Sequence, residues 1–437
     1  MIAWNKSHNK IILIFLLTSI LIANTLYGQE IVETRILKQT QKYSAGHLAT
    51  KDSPIPLTRA KNDSTHEIQN IRELVINLGN HFQITDKLSS MIDEVKYVSL
   101  EETDSSLIGN IGHIVFDDDK IIVSDVGTQS VLLFTEKGQF LTRIQKRGDG
   151  PGEYNRLNNI AVDTALKRII IGSDYKFLWF DYNGNFIKEL KTTYAGANEF
   201  EVIDSQTLVI YTYFGNLDDK REKYDIYYIK DDGSVSSKFI EVFPKKINSK
   251  SMIGLFSNFS RVGLSNELLL TREYSNQILS LNSAGIHSKY KLDFGAGNLP
   301  EDYVEKSLTD FSIRSSEERV DQMLRKGMLT FAGGSVLETK KWLQVTVGTS
   351  EDRTSLLFDK TKNEVRHAFN FNLINDVDGG RYLVNRWVHS DYFVSIVYPS
   401  NLQKALEQNT SIALESIKTA LSSKNQENPI LRFLKIK

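Results

Sequence analysis

Four turn glycines, Gly138, Gly184, Gly233 and Gly285, stand 46, 49 and 52 residues apart, each between two apolar, strand-like runs. This spacing constrains the fold more than any other feature of the chain. Strand-rich repeats with a period of about 40 to 50 residues are the signature of four-stranded propeller blades. The first two copies are the clearest. KIIVSDVGTQSVLLFTEKGQFLTRIQ covers Lys120 to Gln145, and RIIIGSDYKFLWFDYNGNFIKELK covers Arg168 to Lys191. Between them lies GDGPGEY, Gly148 to Tyr154. Three glycines and a proline in seven residues exclude a helix or strand interior, so this is a shaped connector from one blade to the next.

The repeats run from about Gly109 to Lys146, Pro151 to Lys191, Ala195 to Val242 and Phe256 to Phe294. A polar insertion opened by Pro300 follows. In it Ser315 and Glu318 form a capping box for a helix that ends at Gly327. The fifth repeat resumes near Met328 and the sixth near Gly379. A second helix, Asn401 to Leu421, capped by Ser400 or Gln403, interrupts the sixth, and the chain ends in the strand ILRFLKIK. The sixth repeat has three strands. The unpaired strand Lys96 to Glu101 is expected to supply the fourth by pairing with Ile430 to Ile436, which closes the ring. The expectation is an all-β, six-bladed β-propeller over 94–437 with small helical insertions.

Before the ring, Lys6 and Lys10 precede an apolar run from Ile11 to Ala23, the layout of a secretory signal peptide, with cleavage placed after Gly28. The run is short for a span of about 20 residues; the alternative is an uncleaved anchor. Residues 29–80 are polar and read as a flexible leader, with a short strand possible at Glu73 to Leu78. Together these features predict an exported protein, periplasmic or extracellular, with no membrane span once the signal is cleaved. There is no cysteine, so there is no disulfide, no thiolate ligand and no lipid anchor through an N-terminal cysteine. With 53 basic and 54 acidic residues, the chain lacks the basic excess of a nucleic-acid binder.

YVSLE, SDVGTQSVLLFTEKGQFL, RGDGPGEY, AVDTALKRIIIGSDYKFLWFDYNGNFIKEL and NPILRFLKIK together resemble the secreted six-bladed propellers common in Bacteroidetes, related in form to NHL-repeat propellers. The resemblance covers about Glu94 to Lys437. It implies export and a propeller fold, and it implies no reaction.

Candidate ligand contacts follow from blade topology. The connector between blades and the loop between a blade's second and third strands emerge on one side of the ring. That side should carry Arg147, Asp149, Glu153, Tyr154 and Arg156 together with Asp125, Asp174, Arg272 and Glu273. Both charges and a tyrosine suit a polar ligand; the competing reading is that these residues only shape their own turns. No His or Cys spacing indicates a metal site, no cofactor is expected, and no G-x-S-x-G or phosphate-binding loop occurs. The leading expectation is a binding propeller for a small polar molecule, a glycan or an envelope protein. The alternative is a propeller hydrolase or lyase with a cation in the central channel, and a third possibility is an envelope subunit docking through its inserted helices.

Overall fold

The computed structural model describes residues 65–66, 73–78 and 83–192. Beyond these it describes the chain to 437 except 193–198, 213–223, 242–247, 249–257, 264–266, 273–274, 301, 329, 332–335, 349–352, 380–384, 409–412 and 423–426. The segment read as a signal peptide and most of that read as a leader therefore lie outside the described residues.

Three strands precede the first blade: β1 (Thr65–His66), β2 (Leu74–Asn77) and β3 (Ile92–Ser99), with a helical turn, α1 (Leu88–Met91), before the last. Blade 1 is β4 (Ile111–Asp117), β5 (Lys120–Asp125), β6 (Ser130–Thr135) and β7 (Phe140–Ile144). Blade 2 is β8 (Asn159–Asp163), β9 (Arg168–Ser173), β10 (Lys176–Asp181) and β11 (Phe186–Lys191). Blade 3 is β12 (Phe200–Asp204), β13 (Thr207–Tyr211), β14 (Tyr224–Lys230) and β15 (Val235–Glu241). Blade 4 is β16 (Phe259–Arg261), β17 (Leu268–Thr271), β18 (Gln277–Asn282) and β19 (Gly285–Asp293). In blade 5 the inner edge is divided between β20 (Thr330–Phe331) and β21 (Leu337–Glu338), which both pair with β22 (Trp342–Gly348); β23 (Arg353–Asp359) and β24 (Glu364–Phe369) complete it. Blade 6 is β25 (Trp387–His389), β26 (Tyr392–Val397), β27 (Ile430–Ile436) and, outermost, β3. The fold is thus a six-bladed, all-β propeller.

The apolar pattern follows from this geometry. Among the described residues six buried apolar clusters occur, and each spans two neighbouring blades. The core is therefore a ring of seams and not a single centre. A middle strand faces a seam on each side, so it reads as a continuous apolar run such as RIIIGS and does not alternate. At the turns, Gly138, Gly184, Gly233 and Gly285 all have positive φ. Gly138 is tied most tightly: a Cβ there would stand 1.9 Å from the carbonyl oxygen of Ser99. The turn of blade 1 is thereby seated on the outer strand of blade 6.

Ring closure is as the sequence predicts. β3 runs antiparallel to β27, with Ile430 opposite Ser99 and Ile436 opposite Ile92. The strand begins four residues earlier than Lys96. At its middle, Ser395, Arg432 and Tyr97 lie side by side across three strands. Arg432 is 2 % exposed and meets the fully buried Asp378 through Nη1, at 2.9 and 2.8 Å from its two carboxylate oxygens. Arg432 Nε donates to Ser395 Oγ at 3.0 Å, and Tyr97 and Asn375 donate to Asp378 at 2.8 and 2.6 Å. Burial alone would raise the Asp378 carboxyl, but the Arg432 charge and these donors outweigh it and hold it below the usual carboxylate range.

Two expectations need correction. Within the segment read as a flexible leader, the short strand expected at Glu73 to Leu78 is present as β2, and β1 is a strand that was not expected. β1 adds parallel to β15, with Thr65 opposite Lys238, and β2 adds parallel to β19, with Leu74 opposite Tyr290. Ile84 then bridges Ala368 on blade 5 before the chain enters blade 6. A strand of two residues, such as β1, leaves no periodic trace in a sequence. The helix predicted over Asn401 to Leu421 is two helices, α4 (Pro399–Gln408) and α5 (Leu414–Ala420). The first starts at Pro399, a residue preorganised for the first helical position, and not after Ser400. The insertion between blades 4 and 5 likewise holds α2 (Tyr303–Thr309) and α3 (Ser316–Arg325). There the capping box is formed: the Glu318 amide donates to Ser315 Oγ at 3.2 Å and the Arg314 amide to Glu318 at 3.0 Å. In α4 and α5 the apolar stripe faces inward. Leu402, Ala405, Ile417 and Ala420 are buried in the seam between blades 5 and 6. That burial removes the exposed stripe a docking role for this helix would need.

Candidate functional site

The GDGPGEY connector closes on itself. The Tyr154 amide donates to the Lys146 carbonyl at 2.7 Å and the Glu153 amide to the Gly150 carbonyl at 3.0 Å. Glu153 folds its carboxylate back over the glycines and accepts from the Gly150 amide at 3.0 Å. Gly152, at φ +75, has room for no side chain, since a Cβ would reach the Phe186 ring at 2.7 Å. Its amide donates to Glu189 at 3.1 Å. Tyr154 is fully buried, its hydroxyl donating to the carbonyls of Gln129 at 3.0 Å and Ile144 at 3.2 Å, and burial pushes its phenol up to about 12.

Two of the loops expected on that side, from blades 1 and 2, touch the connector. Gln129, in the β5–β6 loop, accepts from the Leu157 amide at 2.7 Å, and Lys176, after the β9–β10 turn, donates to the Glu153 carbonyl. Most of the predicted contacts are nevertheless used by the fold. Asp125 is fully buried and accepts from the amides of Gly109, Asn110 and Gly127 at 2.8, 2.8 and 2.9 Å and from Thr128 Oγ1 at 2.7 Å. Arg272 is locked to buried Asp225 of blade 3 by Nε at 3.0 Å and Nη2 at 2.6 Å. Asp149 is exposed and accepts from the Asn155 amide group. Arg156 is half-buried and already engaged by the protein. Arg147 and Asp174 are exposed, the latter in a tight turn at φ +39. Glu273 lies outside the described residues. A short polar side chain at a strand end is the natural acceptor for loop amides, and that local demand consumes Asp125 and Glu153.

A second group of polar residues meets where the inner strands line the ring axis. His113 of β4, Glu201 of β12, Arg261 of β16 and Arg386, just before β25, come from four blades, and the last three all act on the charge of His113. Arg261 Nη2 reaches the Glu201 carboxylate at 2.7 Å and the Val202 carbonyl at 3.0 Å. Trp387 Nε1 donates to His113 Nδ1 at 3.4 Å, and the same indole lies 5.4 Å from the Arg386 guanidinium. Burial lowers the His113 pKa; Glu201 opposes this, and Arg261 and Arg386 reinforce it. His113 is therefore neutral at pH 7, with Nδ1 as acceptor and the proton on Nε2. His113, Glu201 and Arg386 lie at or near the starts of their inner strands, the ends nearest the interblade connectors, while Arg261 ends β16. Sequence reading missed it. A usable signal was a polar residue breaking an inner-strand apolar run, as Glu201 does between Phe200 and Val202.

Among the described residues no group of three or more His, Asp or Glu side chains is placed to hold a metal ion. A catalytic cation in the channel thus has no ligand set among them. No described helix is long and apolar enough to cross a membrane.

The fold and this axis define a six-bladed propeller with a polar centre. The chain belongs to the family described as "Domain of unknown function (DUF4934)", whose model matches residues 73–435. Among solved structures it is similar to one described as a "Putative exported protein" from Bacteroides fragilis NCTC 9343. The identity is 18 %, covering 83 % of this chain and 99 % of that one, with a TM-score of 0.67. It is also similar to a member of the DUF4221 family from Bacteroides vulgatus, at 10 % identity over 79 % of this chain and 97 % of that one, with a TM-score of 0.45. No curated protein sequence matches the chain.

Proposed function

We propose that this chain is an exported binding propeller that takes a small polar ligand or a glycan at the ring axis, on the face carrying GDGPGEY. The observation that carries this reading is that His113, held by Trp387, lies within electrostatic reach of Glu201, Arg261 and Arg386, which come from three other blades. A few convergent polar groups suit a small ligand better than a flat protein surface does. The GDGPGEY connector contributes stiffness: it fixes the rim beside the axis and leaves Arg147 and Asp174 at the approach. Export rests on the signal-like start of the chain and on the exported label of its structural neighbour.

A thermal-shift screen of the purified protein against monosaccharides, sugar acids, amino acids and short organic acids tests this. A binding compound is expected whose stabilisation is lost in His113→Ala and kept in Lys137→Ala, on the opposite face. A compound that behaves the other way round would place the site on the wrong side of the ring and overturn the reading.

A further inference from the structure

The seam that closes the ring, between blades 6 and 1, is held differently along its depth. Away from the axis the ties are amide groups that do not titrate. The Glu101 amide, just after β3, donates to the Gly138 carbonyl of the blade 1 turn at 2.8 Å. The Asn428 side chain, just before β27, donates to the Ser106 carbonyl at 2.9 Å and accepts from the Ile108 amide at 2.9 Å, in the segment that leads into β4. Toward the axis the inner strands β4 and β25 belong to different sheets, so no strand ladder joins them. Two side-chain contacts across the seam there use histidine, one from each blade. Trp387 of β25 donates its Nε1–H to His113 Nδ1 of β4 at 3.4 Å. His389 of β25 packs its ring on Phe116 of β4, with centroids 4.7 Å apart, and against Phe433 of β27 at 6.2 Å. His389 Nδ1 is buried with no hydrogen-bond partner among the described residues.

Both contacts need a neutral imidazole. On His113 an added proton goes to Nδ1, the atom that accepts from Trp387, and sets two donors face to face. On His389 it leaves a cation among aromatic rings, with an Nδ1–H that has no acceptor. We propose that this seam is an acid-sensitive latch: protonation of His113 and His389 from solvent loosens its axial side, while the Glu101 amide and Asn428 keep its outer side closed. Burial lowers the pKa of both rings. Glu201 opposes this at His113, and Arg261 and Arg386 reinforce it. Glu136 opposes it at His389, whose ladder partner Tyr392 is occupied by Lys96 and Glu94. The unfolded value is about 6.5. Each ring's contribution is therefore complete above about pH 6.5 and is lost as the pH falls through the lower, folded value. Across that window each histidine shifts the opening equilibrium by up to about tenfold per pH unit. The Asp378–Arg432 closure holds down to about pH 4, so between the two limits the seam loosens in a folded ring. The latch does not depend on what binds at the axis.

Hydrogen exchange of the purified protein, read by mass spectrometry as protection factors between about pH 7.5 and about pH 4.5, tests the latch. Protection across β4 and β25 should fall by about tenfold or more, while β13 and β14, the middle strands of blade 3, keep theirs. His389→Phe keeps the ring packing without the charge, and His113→Asn keeps an acceptor for Trp387. Each should remove part of the fall, and the double variant should abolish it. If a variant fails to fold, NMR of the wild-type protein decides: the imidazole signals in contact with Trp387 and Phe116 should titrate below about pH 6.5. Unchanged protection of the seam in acid, an equal fall in every blade, a fall that survives in the double variant, or either ring titrating at or above that pH would overturn the proposal.

Discussion

The ring is closed by two chain ends, and the buried Asp378–Arg432 pair is the point at which that closure is most exposed to a single change. Removing Arg432, for example as Arg432→Met, leaves the Asp378 carboxylate fully buried with only Tyr97 and Asn375 as donors. Breaking one partner of a buried pair costs about 3–5 kcal/mol, and Asp378→Leu, which strands the guanidinium instead, should cost a similar amount. The double variant removes both charges. Its loss should fall short of the sum of the single losses by about 2 kcal/mol or more, because each single change includes the penalty of an unpaired buried charge. Urea unfolding followed by circular dichroism measures all three. The same pair sets the acid limit. Its folded-state pKa lies below the unfolded value of about 3.9, so its stabilisation is complete above that pH and is lost as the pH falls through the lower, folded value. The wild-type protein should therefore lose this stability only below about pH 4, and the double variant should lose less there. Single variants each within about 1 kcal/mol of wild type, or strictly additive losses, would refute the reasoning.

Three further outcomes follow from the geometry. Deleting residues 430–437 removes five buried apolar side chains, Ile430, Leu431, Phe433, Leu434 and Ile436; at about 1.5–3 kcal/mol each this matches the whole stability of an ordinary domain, so calorimetry should find no cooperative melting transition. Gly138→Ala forces a side chain to φ +84 against the Ser99 carbonyl and should cost about 2 kcal/mol or more, read as a lowered urea midpoint; an unchanged midpoint would mean the blade 1 turn is not seated on β3. Tyr154→Phe should cost about 1 kcal/mol by stripping a donor from two carbonyls and should leave ligand affinity untouched; a ligand that fails to bind Tyr154→Phe of normal stability would return that residue to the site.

The blades were legible because they are local. A blade's strands and turns follow one another in the chain, so Gly138, Gly184, Gly233 and Gly285 record its period, and runs such as RIIIGS record burial on both faces of a middle strand. Closure was legible for a related reason: a three-stranded last repeat and an unpaired strand at the other end leave one way to remove an open edge. The sequence by itself therefore determined the number of blades, the side on which the connectors emerge, and the pairing of the chain ends. It did not determine what each polar side chain is for. Asp125, Glu153 and Tyr154 have the composition of a binding loop, but local amides and carbonyls lay claim to them first, and only the folded connector reveals that competition. β1 is too short to carry a period of its own and is held by the edge it joins. His113, Glu201, Arg261 and Arg386 are separated by 60 to 273 positions, and apart from Glu201, which interrupts an apolar run, nothing near them in the chain sets them off from surface charges. Their proximity is a product of ring geometry, a long-range property that no local pattern in the chain encodes.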